Sequence, residues 1–431
     1  MRRVAVIGSG ISGLSVAHAL ASDARVTLFE AGAYFGGHTN TVDMTLDGVT
    51  HGVDTGFLVL NERTYPQLLK LFGELGVETA KSEMSFSVQV PGGPQTPDLE
   101  WSGCNLDTVF AQRINLLRPR FWRMLVDLMR FNRLATTLAA SGDIDSLDQP
   151  IDEFLTRHRF SAEFRDWYFL PMIGCIWSCP IDQMLRFPVA TMLRFCHNHG
   201  LLQVARRPQW YTVRGGARTY VDKMLRAVGD ARLNTPVQSV RRADGAVFVE
   251  TRSGVERFDE AVLACHSDQS LALLADASAA ETQVLGAIRY QANRAVLHTD
   301  TSVLPTRRKA WAAWNYQRAS NGAANPATVC LHYLLNRLQP LPFESTVVVS
   351  LNPVVEPHPA SVHAEFGYMH PVFDAAAIAA QRRVPSLQGE RHTWFAGAWT
   401  RYGFHEDGLM SGLGAAAGLR AAWATPAKQA A

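Results

Sequence analysis

A short apolar run, Val4-Ala5-Val6-Ile7, leads straight into Gly8-Ser9-Gly10-Ile11-Ser12-Gly13. A helix-like stretch follows, then a second apolar run, Arg25-Val26-Thr27-Leu28-Phe29, that ends on Glu30. A buried strand, a G-x-G-x-x-G turn, a helix and an acid at the end of the next strand form the βαβ fingerprint of a dinucleotide site. Gly8 permits the tight turn, Gly10 lets the backbone approach a pyrophosphate, and Gly13 lets the helix pack closely on the strand. The helix N-terminus offers unpaired N–H groups to phosphates, and Glu30 is placed to bind a ribose diol.

Composition sets the outer limits. A chain of 431 residues accommodates two domains, and a 47% hydrophobic content supports a large core. The net charge of +2 leaves no nucleic-acid footprint. No apolar run approaches the length of a membrane-spanning helix. The first strand begins within three residues of Met1, which leaves no room for a cleaved leader, so the cytoplasm is the expected compartment. Six cysteines, at 104, 175, 179, 196, 265 and 330, are scattered. Cys175 and Cys179 have helical spacing, but nothing completes a metal pattern, and reduced buried thiols are expected. His197 and His199 read as opposite sides of a strand or a turn, with no third ligand nearby. No metal is expected.

The fingerprint does not choose between FAD and NAD(P). Later segments do. Glu30 is followed by Ala31-Gly32-Ala33-Tyr34-Phe35-Gly36-Gly37-His38-Thr39. Residues 234–265 read as a β-meander with a turn at Gly254, then the buried strand Ala261-Val262-Leu263-Ala264. Near the C-terminus, WFAGAWTRYGFHEDGLMSG (394–412) reads as strand, loop and helix, with the helix starting near Gly408. With FGGHTNTVD (35–43), GVDTGFLVLNERTYP (52–66), YFLPMIGCIWSCP (168–180) and RPQWYTVRGGARTYV (207–221), these stretches resemble the flavin-containing amine oxidase superfamily. The likeness is to its bacterial FAD-binding members associated with cyclopropane and methylated fatty-acid modification.

The resemblance implies an α/β fold in which a Rossmann-like FAD-binding domain, of the two-dinucleotide-binding-domain type, is interleaved with an α+β substrate domain. Residues 1–75, 206–270 and 386–424 are expected in the first and 76–205 and 271–385 in the second, with 425–431 a tail. It carries FAD contacts to Gly8, Gly10, Ile11, Ser12, Gly13 and Glu30, and to Gly36, Gly37, His38 and Thr39. It carries them also to Thr55, Gly56 and Phe57, to Val237 and Ala264, and to Gly397, Ala398, Asp407, Gly408 and Leu409. Two positions depart from the pattern. His38 stands where Arg is usual, and Ala398 where an acid is usual, so Glu406 or Asp407 is the alternative ribityl partner.

Hydride transfer to flavin N5 needs a positioned C–H bond more than a strong nucleophile, so an apolar pocket and few catalytic side chains are expected. Aromatic residues such as Trp167, Tyr168, Trp177, Phe195, Trp314 and Tyr333 read singly as core and together as a tunnel. The catalytic candidates are His405, Glu406 and Tyr402. His405 and Glu406 read equally as a proton relay or ribityl contact and as first-turn helix residues meeting the dipole. Among Asn61, Glu62, Arg63 and Tyr65, one is a candidate pocket residue. The stretch 287–298 lacks the Lys common in amine oxidases. Trp399 or Tyr402 supplies at most half of an amine cage.

The expected activity is that of an FAD-dependent oxidoreductase that desaturates a hydrophobic substrate, an unsaturated or methylated fatty-acyl chain. The alternatives are an amine oxidase yielding imine and hydrogen peroxide, and a protein in which FAD is structural. Arg118, Arg120 and Arg123, beside Phe121 and Trp122, read either as a solvated helix face or as a peripheral contact with lipid headgroups at the inner membrane face.

Overall fold

The computed structural model describes residues 1–92, 98–141, 147, 149–177, 181–203, 207–319 and 329–424. Cys179 and the tail 425–431 lie outside them. The first strand, Arg2–Ile7, is central in a five-stranded parallel sheet. The order is Asp230–Arg232, Ala24–Phe29, Arg2–Ile7, Glu260–Leu263, Thr393–Phe395. Both faces are covered, which is why Val4, Ala5 and Val6 are all apolar and all buried.

On one face lie the helices Ile11–Leu20 and His405–Ala424. Glycines let them approach. A Cβ at Gly412 would stand 2.0 Å from Ser15 Oγ, and one at Gly408 would stand 2.7 Å from Ile11 Cγ2. The second helix starts at His405, three residues before the expected Gly408, because Asp407 accepts a hydrogen bond from Phe404 N (3.0 Å) and closes the first turn.

On the other face lie the antiparallel meander Val237–Ala243, Ala246–Thr251, Gly254–Phe258 and the helices Ser267–Leu273, Ala279–Leu285 and Ala375–Gln381. Val240, Phe258, Val284, Leu285, Ala377 and Phe395 share one core there. Residues 279–285 and 375–381 therefore pack with the nucleotide sheet, although the sequence places them within the substrate segment 271–385. Their short apolar faces find their partners on that sheet.

A seven-stranded sheet draws on two separated parts of the chain, 86–102 and 289–372, in the order Val362–Val372, Arg289–His298, Val348–Leu351, Cys330–Leu334, Trp314–Gln317, Phe86–Val90, Leu99–Ser102. Its pairs are antiparallel except Trp314–Gln317 with Phe86–Val90. Helices between residues 119 and 198 cover one end around buried Phe121, Phe131, Phe154, Phe164 and Phe169. Pro119 opens the helix Pro119–Ala140, following an extended Arg118. His197 and His199 sit at the C-terminal end of the helix Val189–Asn198, not across a strand, and His199 Nδ1 lies 3.0 Å from Phe195 O.

Candidate active site

One cavity of 1350 Å³ runs from the G-x-G-x-x-G turn to the helical end. Its first part is built from backbone. Gly8 has φ +100°, and a Cβ at Gly13 would stand 1.8 Å from Gly8 O, so turn and helix are in direct contact. Gly10 differs, because a Cβ there would meet nothing within 4 Å, and Gly10 lines the cavity. The helix that follows has no side-chain cap, so its first N–H groups have no side-chain partner at this end of the cavity. Glu30 Oε2 accepts from Ser9 N (2.9 Å) and Ser9 Oγ (2.5 Å), and Oε1 accepts from Gly32 N (2.7 Å). A carboxylate oxygen has two acceptor sites, so Oε1 retains one. Ile11, Ser12, Val237 and Ala264 complete this wall.

The middle of the cavity is lined by Gly36, Gly37, His38, Thr55, Gly56, Phe57, Gly397, Ala398 and His405. A Cβ at Gly56 would meet His38 O at 2.1 Å, which holds that loop against the His38 backbone. His38 is enclosed and its Nε2 has no partner among the described residues. Its ring lies 5.1 Å from Tyr368, 5.4 Å from His370 and 6.1 Å from His266. Burial pushes His38 and His266 down to about 4 and His370 and His405 down to about 3, so all four are neutral near pH 7.

His405 is held from both sides. It stacks on Phe57 at 3.8 Å, and its Nε2 lies 2.6 Å from Tyr220 OH, which is 2.5 Å from Thr39 Oγ1. The ring presents an oriented, uncharged wall, not a base poised near neutrality.

Seven of the residues expected to contact FAD or act in catalysis do not line the cavity: Gly13, Thr39, Tyr402, Glu406, Asp407, Gly408 and Leu409; nor do Trp167 and Trp177 of the expected tunnel. Thr39 orients Tyr220 and His405. Gly13 and Gly408 serve helix packing. Glu406 accepts from Gln67 N (2.8 Å) and Leu68 N (2.9 Å), and so caps the helix Pro66–Leu75. Asp407 is pushed up to about 6 by burial and is engaged with Phe404 N. Neither acid reaches the cavity wall. Of the group after the Gly56 loop, Tyr65 lines the cavity. Asn61 accepts from Arg63 N and Thr64 N and shapes a turn, and Glu62 accepts from Tyr211 OH. Trp399 also lines the cavity, with its Nε1 donating to Cys265 O (3.1 Å).

The sequence did not single out His266, Tyr290, Tyr368 and His370. His266 stacks on Tyr290 at 4.4 Å, and Tyr368 OH lies 2.8 Å from Thr55 Oγ1. The signal available was position: His266 follows a strand of the parallel sheet, where α/β sites gather.

Beyond His405 and Phe404 the wall becomes apolar, with Met84, Trp101, Leu125, Tyr168, Met172 and Ile176 among its residues. Arg207 carries the one formal charge on this stretch among the described lining residues. The far wall includes Leu106 and Met129, both exposed at the surface, so this end meets the outside there.

The family model for flavin containing amine oxidoreductases matches residues 11–334. A comparison with curated protein sequences finds no match. Solved structures with the same fold include a CLA-producing fatty acid isomerase from P. acnes, 16% identical, with a TM-score of 0.66 over 95% of this chain and 97% of that one. Another is cyclohexylamine oxidase from Brevibacterium oxydans IH-35A, 17% identical, TM-score 0.67, over 98% and 99%. A third is wild-type putrescine oxidase bound to putrescine, 16% identical, TM-score 0.67, over 97% and 99%.

Proposed function

The chain belongs to the flavin-containing amine oxidoreductase family, and from that premise we propose that it desaturates a hydrophobic substrate, an unsaturated or methylated fatty-acyl chain. It is an FAD-dependent oxidoreductase. The residues present suit that cofactor. Gly10 leaves open space beside an uncapped helix N-terminus, which suits a pyrophosphate. Glu30 keeps an acceptor site for a ribose hydroxyl. The buried, unpartnered Nε2 of half-buried His38 suits a polar atom of a bound group.

FAD, when bound, would supply the hydride acceptor for one of the two hydrogens that desaturation removes, and the other would leave the substrate as a proton released to solvent. The protein's part is to bind, orient and exclude water. His405 and Phe57 form a fixed aromatic wall in the middle of the cavity. The five imidazoles on the cavity wall, His199 among them, are all held neutral at physiological pH.

The observation that carries the substrate reading is the apolar length of the cavity beyond His405. The 1350 Å³ cavity houses the cofactor residues at its first end and in its middle, and the apolar stretch continues beyond them. Its second half offers a chain-like molecule aliphatic and aromatic contact, and no carboxylate for an ammonium group among the described lining residues. The structural neighbours include enzymes acting on amines and one acting on a fatty acid, and at their identities they bear on fold alone.

Anaerobic mixing of the purified holoprotein with substrates tests the reading. Bleaching of the flavin absorbance by unsaturated or methylated acyl lipids supports it. Bleaching by primary or secondary amines alone sinks it in favour of an amine oxidase. Membrane lipids of deletion and complemented cells, compared by mass spectrometry, should differ in their acyl profiles.

A further inference from the structure

We propose that the face built from the helix Leu106–Val109, the turn Arg113–Leu117 and the outward side of the helix Pro119–Ala140 docks on a bilayer surface carrying anionic headgroups. Large apolar side chains are rarely left in solvent together, yet this one face gathers them. Leu106 is 79% exposed and Leu117 78%, with Ile114 and Leu116 beside them. On the helix, Trp122, Val126 and Met129 are exposed and recur at the 3.6-residue period, so they form a single stripe.

The two flanks of that stripe differ. On one side Leu125, Leu128 and Asn132 turn into the cavity wall. On the other side stand Arg120, Arg123 and Arg130, each about half exposed or more. Residues 106–133 hold six arginines and two aspartates, a surplus of four, against +2 for the whole chain. Arg120 and Arg123 share one carboxylate, Glu163, which leaves that pair with excess positive charge. An apolar stripe with Trp at its edge and arginines along one flank has the chemistry of an interfacial helix. Among the described residues no helix is long and apolar enough to cross a membrane, so this contact is one of lying on the surface. The docking rests on this surface alone and stands independently of the acyl-substrate reading.

Flotation of the FAD-loaded full chain with vesicles tests it, without any turnover. The protein should float with phosphatidylcholine vesicles containing phosphatidylglycerol, much less with phosphatidylcholine alone, and less as salt is raised. A Leu117→Glu/Val126→Glu variant, whose altered residues lie off the cavity wall, should partition at least about tenfold more weakly with unchanged flavin content and melting temperature. Arg123→Ser, and Arg133→Ser at an exposed position of the same helix, should each weaken it about fivefold. A holoprotein that stays with the buffer at low salt in both compositions overturns the proposal. So does a solution dimer that the Leu117→Glu/Val126→Glu variant splits, because the face would then be covered by a second copy of the chain.

Discussion

Gly10 and Gly13 lie three residues apart in one turn, and the same alanine substitution acts on them through different physics. At Gly13 the new Cβ would meet backbone at 1.8 Å, so strand and helix must separate. That cost is at or above the about 1–3 kcal/mol usual for overpacking, and Gly13→Ala should lower the melting temperature of the apoprotein or prevent its folding. At Gly10 the Cβ enters the cavity and touches nothing. Gly10→Ala should leave the apoprotein as stable as before and weaken FAD binding by roughly tenfold or more, since a methyl there bars close approach of a pyrophosphate. Thermal melting of both apoproteins and titration with FAD separate the two effects. Equal FAD affinity in Gly10→Ala and the unaltered chain would contradict the cradle. This end of the site was legible in the sequence because each residue's job is local backbone geometry. The histidine cluster was not, because His38, His266 and His370 come from three separated segments and their meeting depends on packing.

The helix Pro66–Leu75 begins with proline and has no side-chain cap of its own. Its cap arrives from another element, as Glu406 accepts from Gln67 N and Leu68 N. Glu406→Gln replaces one carboxylate oxygen by an amide donor that faces an N–H, and should cost about 1–3 kcal/mol. The melting temperature should drop by a few degrees while the rate of flavin reduction at saturating substrate is kept. A large loss of that rate with unchanged stability would restore Glu406 to the chemistry. The sequence placed this acid correctly at a helix start and missed which helix it serves, since a capping partner on a distant element leaves no local pattern. The same limit holds for the sheets. The parallel strands and the 237–258 meander follow from apolar runs and turns. The seven-stranded sheet joins Phe86–Val90 to Trp314–Gln317, and period-two patterning does not say which strand pairs with which.

Across the described residues of the molecule, imidazoles pushed down by burial outnumber acids pushed up by it, which sets the direction of the pH response. His38, His199, His266 and His298 are pushed down to about 4, and His332, His370 and His405 to about 3, all chiefly by burial. Each is neutral when folded, while in the unfolded chain it gains a proton near its ordinary value of about 6.5. Between these two values the unfolded state binds more protons. The stability these groups contribute is therefore complete above about pH 6.5 and is lost as pH falls towards 4. Asp54 and Asp407 work the other way. Burial raises both to about 6, so the folded state takes up a proton before the unfolded state does and gains stability as pH falls through 6. Glu406, also pushed up by burial, is a third acid of this kind, and the three offset the seven imidazoles only in part. The holoprotein's melting temperature should be level from about pH 7 to 8 and fall steadily below about 6.5. Because His38, His266, His370 and His405 surround the middle of the cavity, FAD release should accompany that fall. Differential scanning fluorimetry with flavin emission as a second channel reads both. A melting temperature constant down to pH 4.5 would mean that water reaches these rings and that the cavity is wetter than its walls imply.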